Sequence, residues 1–206
     1  MAKKDLSKEL QRLYFPSSRE PVMVKVQKMR FLMVDGKGNP NVSKEFQEAI
    51  GALYSVAYTA KFTLKKKAKE KDFGVMPLEA LWWIEGGKSF LTAAKEEWLW
   101  RAMIMVPKQV TTAVVKDALE QLRKKGKDKE RPGLKKLRLE EFAEGKSAQI
   151  IHIGPYSAER PTIEKLHKFI EESGHKITGK HHEIYLGDPR RTKPEKLKTV
   201  VRQPMK

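Results

Sequence analysis

The order of apolar and polar positions predicts a chain of alternating strands and helices. Leu6, Leu10, Leu13 and Tyr14 recur at helical spacing in a polar opening stretch. They predict a short helix that ends before Pro16, part of a packing arm over residues 1–20. From Val22 to Val34 the run VMVKVQKMRFLMV is rich in β-branched and large apolar residues and stops at Asp35-Gly36-Lys37-Gly38, which reads as one strand. Ser43 then offers a helix cap, with Glu45 in the first turn. Phe46, Ala49, Ile50, Leu53, Ala57 and Ala60 form an apolar stripe that carries this helix to about Lys66, and Tyr54, Tyr58 and Phe62 form an aromatic line beside it. Those aromatics either widen the buried face or project past it into a cavity.

Two further strands follow, Leu78 to Ile84 and Trp98 to Val106, and together they hold all four tryptophans. Leu78, Ala80 and Trp82 alternate with Glu79, Leu81 and Trp83, and Trp98, Trp100, Ala102 and Ile104 share one face. A tryptophan cluster of this kind is an aromatic core or a wall for a flat ligand. Thr111 caps a helix whose buried face is Val114, Val115, Ala118, Leu119 and Leu122. The charged segment Gly126 to Lys136 reads as a linker between two halves, about 21–125 and 134–206. In the second half, Leu137 to Phe142 and Ala148 to Ile153 read as a hairpin. A helix with Ile163, Leu166 and Ile170 buried ends at Gly174. The strand His181 to Leu186 stops at Gly-Asp-Pro, and a last strand lies near Thr199 to Arg202. Each half thus reads strand, helix, strand, strand, an α+β plan in which two βαββ units form sheet and helix layers around a ligand cleft.

Composition narrows the chemistry. The chain has 206 residues, no cysteine and a net charge of +17. Disulfides, thiolate nucleophiles and cysteine-held metals are therefore excluded. No apolar run approaches the roughly 18 residues of a membrane span, and the N-terminus lacks the apolar core of a signal peptide, so the reading is cytoplasmic with no membrane partner. The positive charge lies in short runs such as Lys65-Lys66-Lys67, Lys124-Lys125 and Arg190-Arg191, without a helix-turn-helix or an aromatic-basic sheet. It predicts weak, nonspecific polyanion attraction and no specific nucleic acid. Gly36-Lys37-Gly38 and Gly86-Gly87 lack the context of a phosphate loop. His181 and His182 are adjacent in a strand and so face opposite ways, which argues against joint chelation; neither a metal nor another cofactor is expected.

The residues Gln149-Ile150-Ile151-His152-Ile153-Gly154-Pro155-Tyr156, with His181-His182-Glu183-Ile184-Tyr185-Leu186-Gly187-Asp188-Pro189-Arg190-Arg191 and the closing Arg202-Gln203-Pro204, closely resemble the GyrI-like small-molecule-binding family. Pro77 to Trp83 and Trp98 to Pro107 resemble the tryptophan-rich pattern of its free-standing branch. The likeness runs from about Val22 onward. It implies two pseudo-symmetric βαββ (SHS2-type) units enclosing an aromatic cavity with a buried Glu. Relatives sense drugs when fused to a helix-turn-helix, inhibit DNA gyrase, or hydrolyse cyclopropane-bearing, DNA-alkylating natural products of the yatakemycin and duocarmycin type. The last activity would make the protein a detoxifying cyclopropanoid cyclopropyl hydrolase.

Opening an activated cyclopropane with water needs a base, a flat apolar slot and a donor for the oxygen that gains charge. Glu183 is the candidate base, with a pKa expected to rise if aromatic walls desolvate it. Tyr54, Tyr156 and Tyr185 are candidate donors. Trp82 and Trp100 are the candidate slot, with Tyr58 as a further contact. His152 reads as a hydrogen-bonded core histidine or as a group at the site. The alternatives are a non-catalytic module that sequesters planar aromatic or cationic compounds on the tryptophans and Glu183, and a gyrase-inhibitor-like protein that binds a partner.

Overall fold

The computed structural model describes residues 8–67, 73–87, 91–127 and 131–206. Leu6, part of Lys65 to Lys71 and part of Gly126 to Lys136 lie outside them. In chain order the elements are α1 (Lys8–Tyr14), β1 (Val22–Val26), β2 (Met29–Lys37), α2 (Lys44–Lys67), β3 (Leu78–Trp83), β4 (Leu99–Val106), α3 (Thr112–Lys124), β5 (Arg138–Phe142), β6 (Gly145–Ile153), α4 (Arg160–Glu172), β7 (His181–Tyr185) and β8 (Lys198–Pro204). The protein is α+β with antiparallel strands. The strand-helix-strand-strand order is present twice, as β2-α2-β3-β4 and as β6-α4-β7-β8.

The chain forms two compact units, and the division does not follow chain order. One unit comprises Met29–Leu78 and Ile84–Phe142. The other comprises residues 8–28, Glu79–Trp83 and Ala143–Lys206. In the first unit β2 is the middle strand, paired with β4 on one side (Leu32 opposite Ile104) and β5 on the other (Leu32 opposite Leu139). Phe31, Leu32, Met33 and Val34 are all buried, so the continuous apolar run in the sequence reflects a strand covered on both faces. Helix α2 packs on β2 and β4, and α3 packs on α2. The caps lie where the sequence puts them: the Phe46 N–H donates to Ser43 Oγ at 3.1 Å and the Val114 N–H to Thr111 Oγ1 at 3.4 Å.

The second unit has the strand order β1-β6-β8-β7-β3. Glu183 stands opposite Val201 of β8 and Ala80 of β3, and His152 opposite Thr199. Helix α4 lies on β6 and β8, with Ile163, Leu166 and Ile170 buried.

Two sequence expectations are corrected. The run from Val22 to Val34 is not one strand, since it breaks at Gln27-Lys28 and its halves serve different units: β1 pairs with β6, and β2 with β4 and β5. A hydrophobic run does not reveal a partner change when both pieces are apolar. Residues 137–153 are not a hairpin either. β5 pairs with β2, and the chain turns at Gly145 (φ 78°) to start β6 in the other unit. Glu144 is buried at the start of that turn, with 1% of its side chain exposed.

Candidate active site

Alternation along β7 sends its side chains into two buried polar clusters on the two faces of the second unit's sheet. His181, Glu183 and Tyr185 share a face with Ala80 and Trp82 of β3, Ile150 and His152 of β6, and Thr199 and Val201 of β8. His182 and Ile184 share the other with Glu79, Gln149 and Arg202.

On the first face Glu183 is the hub. Its Oε2 accepts the Tyr185 phenol at 2.6 Å and the Trp82 indole N–H at 3.2 Å, and its Oε1 lies 3.3 Å from His181 Nε2. Its side chain keeps 12% of its surface exposed. The expected rise in its pKa is corrected. Burial alone would raise the carboxyl, but the bonds from His181 and Tyr185 hold it below the usual carboxylate range. The sequence shows the aromatic wall but not that the wall's polar tips turn toward the carboxylate.

Glu159, at the start of α4, is a member of this cluster that the sequence reading missed. It is 4% exposed and its Oε1 has no hydrogen-bond partner. Burial and the neighbouring Glu183 charge push its carboxyl up to about 9, so it carries its proton at neutral pH. In the sequence it is an ordinary acid before a Pro-opened helix, where a solvated residue complementing the dipole is the usual reading. Only the burial of that turn sets it apart. Tyr156, in the preceding turn and 38% exposed, sets its ring edge-on to Tyr185 at 5.6 Å. Burial and the charges of Glu159 and Glu183 push its phenol up to about 12, so it stays a donor. His152 is buried, 2.8 Å from Thr162 Oγ1 and 3.3 Å from the Pro155 carbonyl, and burial lowers its pKa. These are the features of a hydrogen-bonded core histidine.

The opposite face holds a second network that the sequence did not reveal. His182 lies between Glu79 (Nε2 to Oε2, 3.0 Å) and Glu144 (Nδ1 to Oε2, 3.0 Å). Arg202 donates to Glu144 at 3.1 Å, Gln149 at 2.8 Å and the Leu13 carbonyl at 2.8 Å, and Tyr14 donates to Glu79 at 2.5 Å. Although burial opposes its charge, the Glu144 carboxylate lifts His182 to about 9. Burial likewise opposes ionisation of Glu144, but His182 and Arg202 hold that carboxyl down at about 2. Helix α1 is thus fastened through its last turn to the back of the strand that carries Glu183.

The other expected site residues lie in the first unit. Tyr54, Tyr58 and Phe62 stack in sequence along α2, with centroids 6.3 and 6.4 Å apart, and Tyr58 and Phe62 are about half exposed. The line therefore extends past the core. Trp100 as a slot residue is corrected: it is fully buried, set edge-on to Phe46 at 5.0 Å, and its ring occupies the space where a Cβ on Gly36 would stand 2.1 Å away. The absent side chain at Gly36 makes room for the indole. Trp83 points to the face opposite Trp82, with the Lys180 ammonium 3.2 Å from its ring centroid.

A model of the GyrI-like small-molecule-binding domain matches residues 19–206. The chain belongs to the GyrI-like family. Among solved structures it is similar to an uncharacterized conserved protein from Listeria innocua, at 39% identity and a TM-score of 0.85, over 97% of this chain and 98% of that one. A hydrolase from Listeria innocua is 37% identical with a TM-score of 0.82, and the aligned region again spans 97% and 98% of the two chains. The C-terminal domain of EcmrR, 10% identical over 91% and 97% of the chains at a TM-score of 0.53, shares the fold alone. A search of curated proteins found no match to the chain. The family assignment makes this a small-molecule-binding domain, and in it the Trp82 indole and the Tyr185 phenol both touch Glu183.

Proposed function

We propose that this GyrI-like protein is a hydrolase of cyclopropane-bearing, DNA-alkylating compounds of the yatakemycin and duocarmycin type, and so protects the cell that makes it. The observation that carries the reading is the Glu183 carboxylate, held ionised by its donors and almost enclosed by an indole and a phenol, yet with 12% of its side-chain surface exposed. The similarity to the Listeria hydrolase adds support.

In the proposed reaction a water oxygen bonds to the ring methylene and the strained C–C bond breaks. Its electron pair moves to the conjugated oxygen, and Glu183 takes the proton from the water. Trp82 lies along the flat ligand while its N–H holds the base in place. Tyr156, with its phenol protonated, is the donor on this unit for the developing oxyanion. A ligand lying over Glu183 strips its remaining water and strengthens it as a base.

Incubation with such a compound and mass spectrometry of the product tests this. The expected product is the water adduct. Glu183→Gln should abolish its formation while binding persists, and turnover at the wild-type rate would remove Glu183 as base. The alternative of a sequestering module rests on the same aromatic and anionic lining. It predicts tryptophan quenching by planar cations with no chemical change in any ligand.

A further inference from the structure

Glu159 is a buried acid with no cationic partner among the described residues. The groups around it are the Glu183 carboxylate and Tyr185 phenol from β7, the Thr199 hydroxyl from β8 and Tyr156 from the turn before α4. Glu183 in turn faces His181, Trp82 and, through its charge, His152. Two carboxylates side by side at this depth would repel each other without a compensating cation, so one of them keeps a proton. Geometry decides which. Glu183 receives the Tyr185 and Trp82 donors and lies beside His181, whereas Glu159 interacts with the Thr199 hydroxyl and with Glu183 itself, with its Oε1 left over.

We infer that Glu159 and Glu183 act as one carboxyl–carboxylate pair sharing a single proton, with Glu159 the acid of the reaction in which Glu183 is the base. This deepens the hydrolase reading and rests on it. When water adds to the substrate, Glu183 takes one proton from the water. Glu159 gives its own proton to the oxygen that has received the electron pair of the broken C–C bond. The pair is then inverted, and the proton on Glu183 crosses to Glu159. The net change is addition of one water, and the site is restored without a proton from solvent. Retention of the Glu159 proton up to about pH 9 suits this role. The two carboxyls titrate as a pair, so the macroscopic values belong to both.

Infrared difference spectroscopy of the ligand-free protein provides a readout that needs no turnover. The wild type should show the C=O stretch of a protonated carboxyl at pH 7 that disappears as the pH rises through about 9, and Glu159→Gln should lack it. In turnover of a cyclopropane-bearing substrate, Glu159→Gln should lose at least tenfold in kcat with little change in KM. It should also lose the alkaline limb of the pH profile, and Glu159→Asp should recover part of both. Absence of the infrared band at neutral pH, or a Glu159→Gln enzyme with the wild-type rate and pH profile, overturns the inference. If the band is present but the wild type turns nothing over, the acid role falls with the hydrolase reading and the shared proton stands as a property of the binding site.

Discussion

His182 and Glu183 are neighbours in the chain yet belong to separate buried networks, and this alternation sets both the stability and the chemistry of β7. Removing His182 leaves Glu79 and Glu144 facing each other in the core, with only Arg202 and Tyr14 to offset them. His182→Ala should therefore cost about 3–5 kcal/mol, the usual price of stranding a buried charge, measured by denaturant unfolding. The pH dependence has a definite sign. The folded-state pKa of His182 is raised to about 9, so its contribution is complete below the unfolded value near 6.5 and is lost as the pH rises through about 9. Glu144, held at about 2, contributes fully above the usual carboxylate range and loses that contribution as the pH falls toward 2. Unfolding free energy should thus decline toward low pH through Glu144, and the part of the alkaline decline that His182 contributes should be missing in the His182 variant, leaving the part from Glu159, whose carboxyl is also raised to about 9. Period-2 alternation made the facing of these residues legible in the sequence. Their partners were not, because Glu79, Glu144 and Glu159 sit in local contexts indistinguishable from those of solvated acids.

At the scale of elements, α2 departs from a simple amphipathic helix. Its apolar stripe is buried, but beside it runs a stacked aromatic line whose outer members are half exposed, and exposed rings contribute little to folding. The double change Tyr58→Ala with Phe62→Ala should shift unfolding by no more than about 1 kcal/mol, as followed by thermal denaturation. It should nonetheless weaken binding of planar ligands, as followed by tryptophan fluorescence. A large loss of stability with unchanged affinity would place the line in the core instead. The helices, their caps and most strands were readable from periodicity and capping residues. Strand partners were less legible, since the apolar pattern of β1 and β2 fits either unit, and a turn glycine such as Gly145 marks a bend without saying where the chain goes next. The tryptophan cluster was legible as composition. Its division into a buried Trp100 over Gly36 and a Trp82 bonded to Glu183 depends on neighbours far along the chain.

The whole molecule carries a net charge of +17, and no helix among the described residues is long and apolar enough to cross a membrane. Much of the acid on its surface is already engaged by nearby cations, as in Asp35 with Arg101 and Arg138 and Glu120 with Arg123. Attraction to DNA through the remaining cations should be weak and should fall steeply between about 50 and 200 mM salt, in an electrophoretic or fluorescence assay. Retention through that range would point to a dedicated nucleic-acid surface. The interleaving of the units also bears on how the chain is made. β8, which follows all the other described strands, joins β6 to β7 in the second unit's sheet, while β1 is synthesised long before β6, and β3 long before β7. The second unit is not a stretch of chain that can close as it leaves the ribosome. The Val22 to Gln149 pairing must wait for most of the protein, and the buried residues of β3 must be kept from other chains in the meantime.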